Sequence, residues 1–399
     1  MLDFAQIVRQ IDAFTSEQAR ELPRRAVALE EAERRLNRAS EDWEALQERI
    51  QGSNSSWYLA GLCEPPNHTA PAQDPVLPCT VIATDGSQIV ADRHDSAFCY
   101  VLNVGRAVIR YGTGERATLA SRPKLYTPDE DMLESKGEQE GISPRRLAIK
   151  RFMAEMEALA EEIEALPTPQ PPATALVDGT LLFWLLEGET EEYRVQTLTA
   201  YEKTLEAGRG RRVPIVGYIS SPQSKDVLNA LRLVECPYPL AHCDRHCPNR
   251  QKPKPRRETP PCAGNETLND ADLFERTLKQ GERSALFTSS RLRFVREERP
   301  SKNIYFCYLH VGAEVARLEM PDWVAEDPTL LERVHSLCYD QAQKGAGYPV
   351  TLTEAHEQAV VRASERDAFF SLVERKMAND KIPLLLSTRK ALSKQRRRV

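Results

Sequence analysis

"VIATDGSQIV" (residues 81–90) and "TALVDGTLLFW" (residues 174–184) decide how this chain is read. Each is an apolar, β-rich run that ends in Asp-Gly and a hydroxyl residue, with the carboxylates at Asp85 and Asp178. A single Asp-Gly is a common hairpin turn. Two of them, each at the tip of a buried-type strand, pose an energetic problem. Desolvating a carboxylate costs several kcal/mol unless a partner compensates. If the two strands are adjacent in one sheet, the carboxylates lie side by side and repel unless a divalent cation sits between them. Hard oxygen ligands suit Mg²⁺ or Mn²⁺. On this reading the glycine after each carboxylate lets the chain turn away and leaves room for the ion and a phosphate.

A third carboxylate is expected from the helix that crosses the sheet. Glu155, in "KRFMAEMEAL" (150–159), is the best placed; Glu157 and Glu161 are alternatives, because sequence does not fix the helix phase. The string Asp-Gly-Thr also invites comparison with haloacid-dehalogenase-type phosphatases, which carry Asp-x-Asp-Gly-Thr. Ala83 and Leu176 stand where the nucleophilic Asp would be, so that chemistry is not expected.

Working outward, residues 1–50 read as helical. Phe4, Ile7, Ile11 and Phe14 form one stripe; after Pro23 a second runs through Ala26, Leu29, Ala32, Leu36, Ala39, Trp43, Leu46 and Ile50. Spacings of three and four suggest a helical hairpin or coiled-coil seam. The Ser-, Asn- and Pro-rich stretch 51–78 reads as a linker. Strands at 79–91, 97–110 and 116–120 suggest an antiparallel meander, followed by an acidic loop at 124–144. Next come a helix at 145–165, a strand at 174–178, a helix at 194–206, a strand at 213–219 and a helix at 223–233. After an insertion at 236–270 the pattern resumes with a helix at 270–280, strands at 303–310 and 313–320, and helices at 325–343 and 353–376. Antiparallel strands followed by β-α units indicate an α/β fold with a mixed sheet and flanking helices. The expected organisation is thus a helical segment (1–50), a linker (51–78), one domain (79–376) and a basic tail (377–399).

The 399 residues carry a net charge of −5, so any nucleic-acid surface is local rather than global. The basic stretches 145–151 and 250–257 are candidates, with Arg146, Lys150 and Arg151 as phosphate contacts. The longest apolar run, near 174–186, is interrupted by Asp178 and is too short to span a membrane. The first residues, with Asp3 and Gln6, do not read as a signal peptide, so a cytoplasmic protein without a membrane partner is expected. The nine cysteines, an odd number, argue against a disulfide framework. Four of them, Cys236, Cys243, Cys247 and Cys262, share the insertion in a C-x6-C-x3-C-x14-C spacing, with His242 and His246 as spare ligands. A polar loop of this length needs something to order it. Structural Zn²⁺ is the first expectation and an iron–sulfur cluster the second.

Several strings together resemble the NurA family of DNA-repair nucleases, in its bacterial branch. "ATDGSQI" is similar to that family's first metal motif and "LVDGTLL" to its second; "GYPVTLTEAHEQAVV" (347–361) is similar to its C-terminal end. "DRH", "LNVG", "GYISSPQSKDVLNALR", "GERSALF" and "VARLEMPDWVA" fit the same branch, so the resemblance spans about residues 79–376. It implies an RNase H-like fold and a Mn²⁺-dependent (or Mg²⁺-dependent) nuclease on DNA ends. The expected activity is exonuclease, with single-strand endonuclease activity beside it, in double-strand break repair. It also implies a homodimer and a hexameric HerA-type ATPase partner. Carried onto this chain, the resemblance makes Asp85, Glu155, Asp178 and His356 metal ligands, and adds Tyr348 to the catalytic set. A two-ion mechanism is then expected, in which one ion activates water and the other stabilises the leaving 3′ oxygen. The rival expectation, a non-catalytic adaptor that clamps DNA at a translocase ring, would go with loss of the carboxylates, and this chain keeps them.

Overall fold

The computed structural model describes residues 3–55, 57–90, 99–127, 142–182, 186, 188–243, 247, 262–264, 266–289 and 304–382. The expectations for "DRH", His246, the basic run 250–257, most of the acidic loop and the end of the tail fall outside the described residues. The chain divides into two compact units: residues 1–74, 179–182 and 217–347 form the first, and residues 75–178, 183–216 and 348–399 the second.

The first unit opens with helices α1 (Phe4–Glu41) and α2 (Trp43–Gly52) and short strands β1 (Ala60–Leu62) and β2 (Thr69–Pro71). The second unit holds β3 (Cys79–Val90), β4 (Tyr100–Tyr111), β5 (Thr118–Tyr126), α3 (Pro144–Glu164), β6 (Ala173–Asp178) and α4 (Glu191–Gly210). Strand β7 (Ile215–Ile219) starts in the second unit and ends in the first. The first unit continues with α5 (Asp226–Leu231), a 3₁₀ turn (Arg232–Glu235), α6 (Asp270–Thr277), β8 (Glu282–Ser284) and β9 (Phe287–Ser289). Then follow β10 (Ile304–His310), β11 (Val315–Pro321), α7 (Asp322–Ala325) and α8 (Pro328–Lys344). Helices α9 (Val350–Ala359) and α10 (Ala363–Asn379) return to the second unit. None of the helices among the described residues is long and apolar enough to cross a membrane.

In the second unit the strand order is β6-β3-β4-β5. Strands β3, β4 and β5 form the expected antiparallel meander, and β6 runs parallel to β3, from Thr80 opposite Ala173 to Thr84 opposite Val177. A parallel neighbour requires a crossover, and α3 lies in it. Its start is specified locally: Ser143 accepts from the Arg146 N–H and Pro144 occupies the first turn. Leu147, Ile149, Met153, Met156, Leu159 and Ile163 form its buried stripe. Ala173–Val177 are all buried, as expected of a strand covered on both faces. A meander, a crossover helix and a strand parallel to the first is the RNase H-like order.

In the first unit the order is β1-β9-β10-β11-β7, with β8 pairing both β10 and β2. Stacked rings of Phe274, Tyr308, Phe306 and Phe287 fill its core. Ala32, Leu36 and Ala39 of α1 and Leu46 and Ile50 of α2 pack into that core.

Three sequence expectations need correction. Helix α1 runs through Pro23, which is exposed, and the break falls at Asp42, whose non-helical backbone and carboxylate cap α2. A proline in a solvent-facing turn removes one hydrogen bond without burying an unpaired group. The first apolar stripe is therefore not a packed hairpin: Phe4, Ile11 and Phe14 are exposed. The stretch 51–78 is not a plain linker either, because β1 and β2 lie in it and Leu59, Ala60 and Leu62 are buried. Finally, the expected helix at 353–376 is two helices, interrupted at residues 360–362.

Candidate active site

The site builds up from one rung of the second unit's sheet. With Thr84 opposite Val177 in a parallel pair, Asp85 and Asp178 occupy the next rung and leave the same face. Their backbones differ. Asp178 ends β6, and Gly179 follows at φ +114°, a turn that glycine permits. Asp85 lies inside β3, opposite Gly105, and the strand continues to Val90. The first Asp-Gly is thus no turn, and only one of the two carboxylates is at a strand tip. Gly86 serves a different purpose: a Cβ there would sit 2.4 Å from Glu155 Oε1 and 2.8 Å from Arg151 Cγ. Its missing side chain is the space that the glutamate fills.

Helix α3 docks on β3 through Thr84, whose hydroxyl donates to the Glu155 carbonyl at 3.0 Å. The helix phase points Glu155 inward, with only 7% of its surface exposed. Glu157 and Glu161 face solvent, and Glu161 pairs with Arg106 (2.8 Å) and Arg122 (2.9 Å). Burial, opposed by the neighbouring Arg151 guanidinium and reinforced by Asp85 and Asp178, pushes the Glu155 carboxyl up to about 8. Asp178 is also raised, mainly by burial of its carboxyl and further by Asp85; its hydrogen bond from Tyr348 and the nearby His356 oppose the rise.

Helix α9 brings the C-terminal pair. His356 Nδ1 lies 2.7 Å from Asp85 Oδ2, and the Tyr348 hydroxyl just before the helix donates to Asp178. Two residues of the "LNVG" string, whose role the sequence left open, hold α9 there. A Cβ on Gly105 would fall 2.1 Å from the Ala355 carbonyl oxygen, so the helix lies flush on β4. The Asn103 amide donates to the carbonyls of Ala359 (2.8 Å) and Gln358 (3.3 Å), and the Ser87 hydroxyl donates to Ala359 (2.5 Å).

The structure thus gathers Asp85, Glu155, Asp178, Tyr348 and His356 in one place. Among the basic candidates, Arg151 joins them, 3.4 Å from Glu155 and hydrogen-bonded to Gln88. Arg146 is instead ion-paired with Glu189 at 3.1 Å and lies over the Tyr193 ring, and Lys150 lies 6.0 Å from the Tyr126 ring centre.

The residues fit a hard divalent cation. Glu155 and Asp178 are raised chiefly by burial and further by neighbouring carboxylates, and the buried Glu155 is held protonated near neutrality; a bound cation would reverse both effects. The ligands are not preassembled: among the described residues, no three His, Cys, Asp or Glu side chains are arranged to hold an ion. Asp85 and Asp178 each turn an oxygen to a hydrogen-bond donor, His356 and Tyr348, and an ion would take these oxygens over.

The family model of the NurA domain matches residues 79–361, which include all five of these residues. The chain belongs to the NurA family. Its structure is similar to that of the NurA nuclease from Sulfolobus solfataricus, with a TM-score of 0.45, 12% identity, and coverage of 86% of this chain and 94% of that one. A second NurA structure gives a TM-score of 0.37 at 13% identity, covering 92% and 97%. The catalytic domain of human endonuclease V gives 0.30 at 13% identity, covering 86% and 97%. No functionally curated protein sequence matches the chain significantly.

Proposed function

We propose that the chain is a metal-dependent nuclease that hydrolyses DNA phosphodiesters. The observation that carries this reading is the shared rung of Asp85 and Asp178, with buried Glu155 behind it. Asp85, Glu155 and Asp178 would hold Mn²⁺ or Mg²⁺, with His356 as an outer ligand. When bound, such ions supply charge at the scissile phosphate and a lowered pKa for the attacking water. The chain's own residues do the rest. Tyr348 fixes the Asp178 carboxylate. His356, mostly exposed, holds Asp85 through one ring nitrogen and would turn the other to the outer ion, or, as imidazolium, donate from it to a phosphate oxygen. Arg151 sets a positive charge beside the carboxylates, which favours an anionic substrate.

End-processing in double-strand break repair, a homodimer, a HerA-type ATPase partner and a cytoplasmic location belong to the same proposal. The exposed stripe of Phe4, Ile11 and Phe14 supports a protein contact at the N-terminal helix. The test is digestion of end-labelled duplex and single-stranded DNA with Mn²⁺ or Mg²⁺. Cleavage by the natural chain, and none by folded Asp85→Asn or Asp178→Asn, is expected. Full activity in either variant refutes the assignment. Light scattering that reports only monomer at micromolar concentration refutes the homodimer.

A further inference from the structure

We infer that Arg151 is the built-in counter-ion of the carboxylate site: it pairs with Glu155 when no divalent ion is bound and passes to a substrate phosphate when one is, so that ion and DNA bind cooperatively. The inference rests on the proposed cation site and adds what regulates it.

Arg151 and Glu155 stand four residues apart on α3, neighbours on one face of the helix. Strand β3 makes room for both, because a Cβ on Gly86 would fall 2.4 Å from Glu155 Oε1 and 2.8 Å from Arg151 Cγ. The stem of the arginine is therefore laid against the strand, while its side chain stays 39% exposed. The head is held loosely. Its Nε lies 3.4 Å from Glu155 Oε1, beyond the roughly 2.7–2.9 Å of a charge-assisted hydrogen bond. That Nε is buried and has no hydrogen-bond partner. The guanidinium's other contact is a bond from Nη1 to Gln88 Oε1 at 3.0 Å, a neutral acceptor on an exposed side chain.

Arginines with a fixed structural task are bound otherwise in the same unit. Buried Arg106 reaches Glu161 at 2.8 Å and Glu162 at 3.1 Å; Arg146 pairs with Glu189 at 3.1 Å and lies 4.8 Å from the Tyr193 ring centre. Among the described residues, no second carboxylate and no ring is paired with Arg151. A buried donor without an acceptor costs free energy, and a fold that keeps one calls for a reason. Exchange of partners supplies it. A guanidinium and a divalent ion on one carboxylate repel each other, most strongly in a partly buried site. An ion on Glu155 therefore releases the arginine head, whose planar fork matches the oxygens of a phosphate. Linkage makes the effect reciprocal: a phosphate that draws the arginine away strengthens ion binding by the factor by which the ion strengthens phosphate binding.

The test reads binding and not cleavage, on the full-length chain. Mn²⁺ uptake without DNA is followed by loss of the free-ion electron paramagnetic resonance signal. DNA affinity is read from the fluorescence anisotropy of a labelled single strand, in EDTA and in Ca²⁺. Arg151→Gln should bind Mn²⁺ about tenfold more tightly than the natural chain, and its gain in DNA affinity from Ca²⁺ should be smaller by about the same factor. A role confined to holding Glu155 in place would give the opposite sign, weaker Mn²⁺ binding. Arg151→Met, which keeps the stem against Gly86, takes its place if Arg151→Gln is insoluble. Mn²⁺ affinity unchanged or lowered in the soluble variant, a Ca²⁺ gain as large as the natural one, or equal DNA affinity of the natural chain in EDTA and Ca²⁺ overturns the inference and leaves the cation site standing. A natural chain that takes up no Mn²⁺ overturns both.

Discussion

Around Arg317 in the first unit and around Glu155 in the second, the fold buries carboxylates, but it satisfies them differently. Arg317 donates to Glu319 at 2.8 Å and to Asp226 at 3.3 Å, with Phe306 stacked 3.6 Å from its guanidinium. The other Glu319 oxygen accepts from the Thr180 hydroxyl and the Leu181 N–H, at 2.7 and 2.9 Å. Asp270 accepts from the N–H groups of Val227 and Leu228 and from the Tyr308 hydroxyl. Glu155 has one ion pair, at 3.4 Å, and among the described residues its carboxylate receives no hydrogen bond. Burial raises both Asp270, to about 7, and Glu155, to about 8. The difference lies in the donors. A carboxylate whose oxygens are all engaged by the protein is part of the scaffold. One buried without donors is what the proposed cation site would require.

The largest effect should come from the under-satisfied cluster. Asp178→Asn or Asp85→Asn should lower metal-dependent cleavage by about 10³-fold, on the order of 4 kcal/mol of barrier. The chain should stay folded, with a urea midpoint no lower than the natural one, because a like-charge neighbour has been removed. Breaking the satisfied cluster should do the reverse. Arg317→Met leaves buried carboxylates without their cation and should cost about 3–5 kcal/mol of stability, read from urea unfolding. If Arg317→Met is neutral in stability, the contrast between the clusters collapses.

Titration sharpens the comparison. Both raised carboxyls favour the folded state while protonated, so they contribute stability that is fully present below their unfolded values. As pH rises, Asp270's share fades toward about 7 and Glu155's toward about 8. Metal-free protein should therefore lose stability from about pH 4 to 8. Glu155→Gln, or saturating Mn²⁺, should abolish the part of this slope between 7 and 8 and leave the Asp270 part. Below about pH 8, apparent Mn²⁺ affinity should fall up to about tenfold per pH unit as Glu155 takes up its proton. An affinity independent of pH from 6 to 8 would exclude Glu155 as a ligand.

The smallest effect concerns Arg146. Its pairing with Glu189 makes it resemble Arg317 more than a phosphate contact. Arg146→Gln should cost about 1 kcal/mol and leave the salt dependence of DNA binding unchanged. A logarithmic salt slope reduced by about one unit would instead make it a phosphate ligand.

Much of this contrast was legible in the sequence, on one side only. The apolar runs before Asp85 and Asp178 showed two strands, while their adjacency, a condition in the sequence, is supplied by the parallel pairing of β3 and β6. A glutamate on the crossover helix was expected, with Glu155 the best placed in "KRFMAEMEAL", although its advantage over Glu157 and Glu161 needed the structure, since two residues turn a helix by about 200°. The strand continuity past Asp85 was hidden, because Asp-Gly usually marks a turn; what overrides it here is a twelve-residue pairing with β4. Strands β1, β2, β8 and β9 are three residues each, too short to leave a periodic signature. The Arg317 cluster was invisible, because Asp226, Asp270 and Glu319 are distant in sequence and each reads as surface charge until the fold buries it.

The polar stop at the end of α9 has a consequence for the tolerances of the site. Three donor contacts from Ser87 and Asn103 clamp the carbonyls of Gln358 and Ala359, one turn beyond His356. An α-helix resting on a smooth apolar surface can slide by one residue at modest cost, and each such step rotates every side chain by about 100°. For His356 that rotation would carry the imidazole off Asp85 altogether. The hydroxyl and the amide act as an indexing pin, converting a soft degree of freedom into a fixed angular setting. Since Asn103 also accepts from Ser121 on β5, at 2.8 Å, the setting is referenced to the sheet itself.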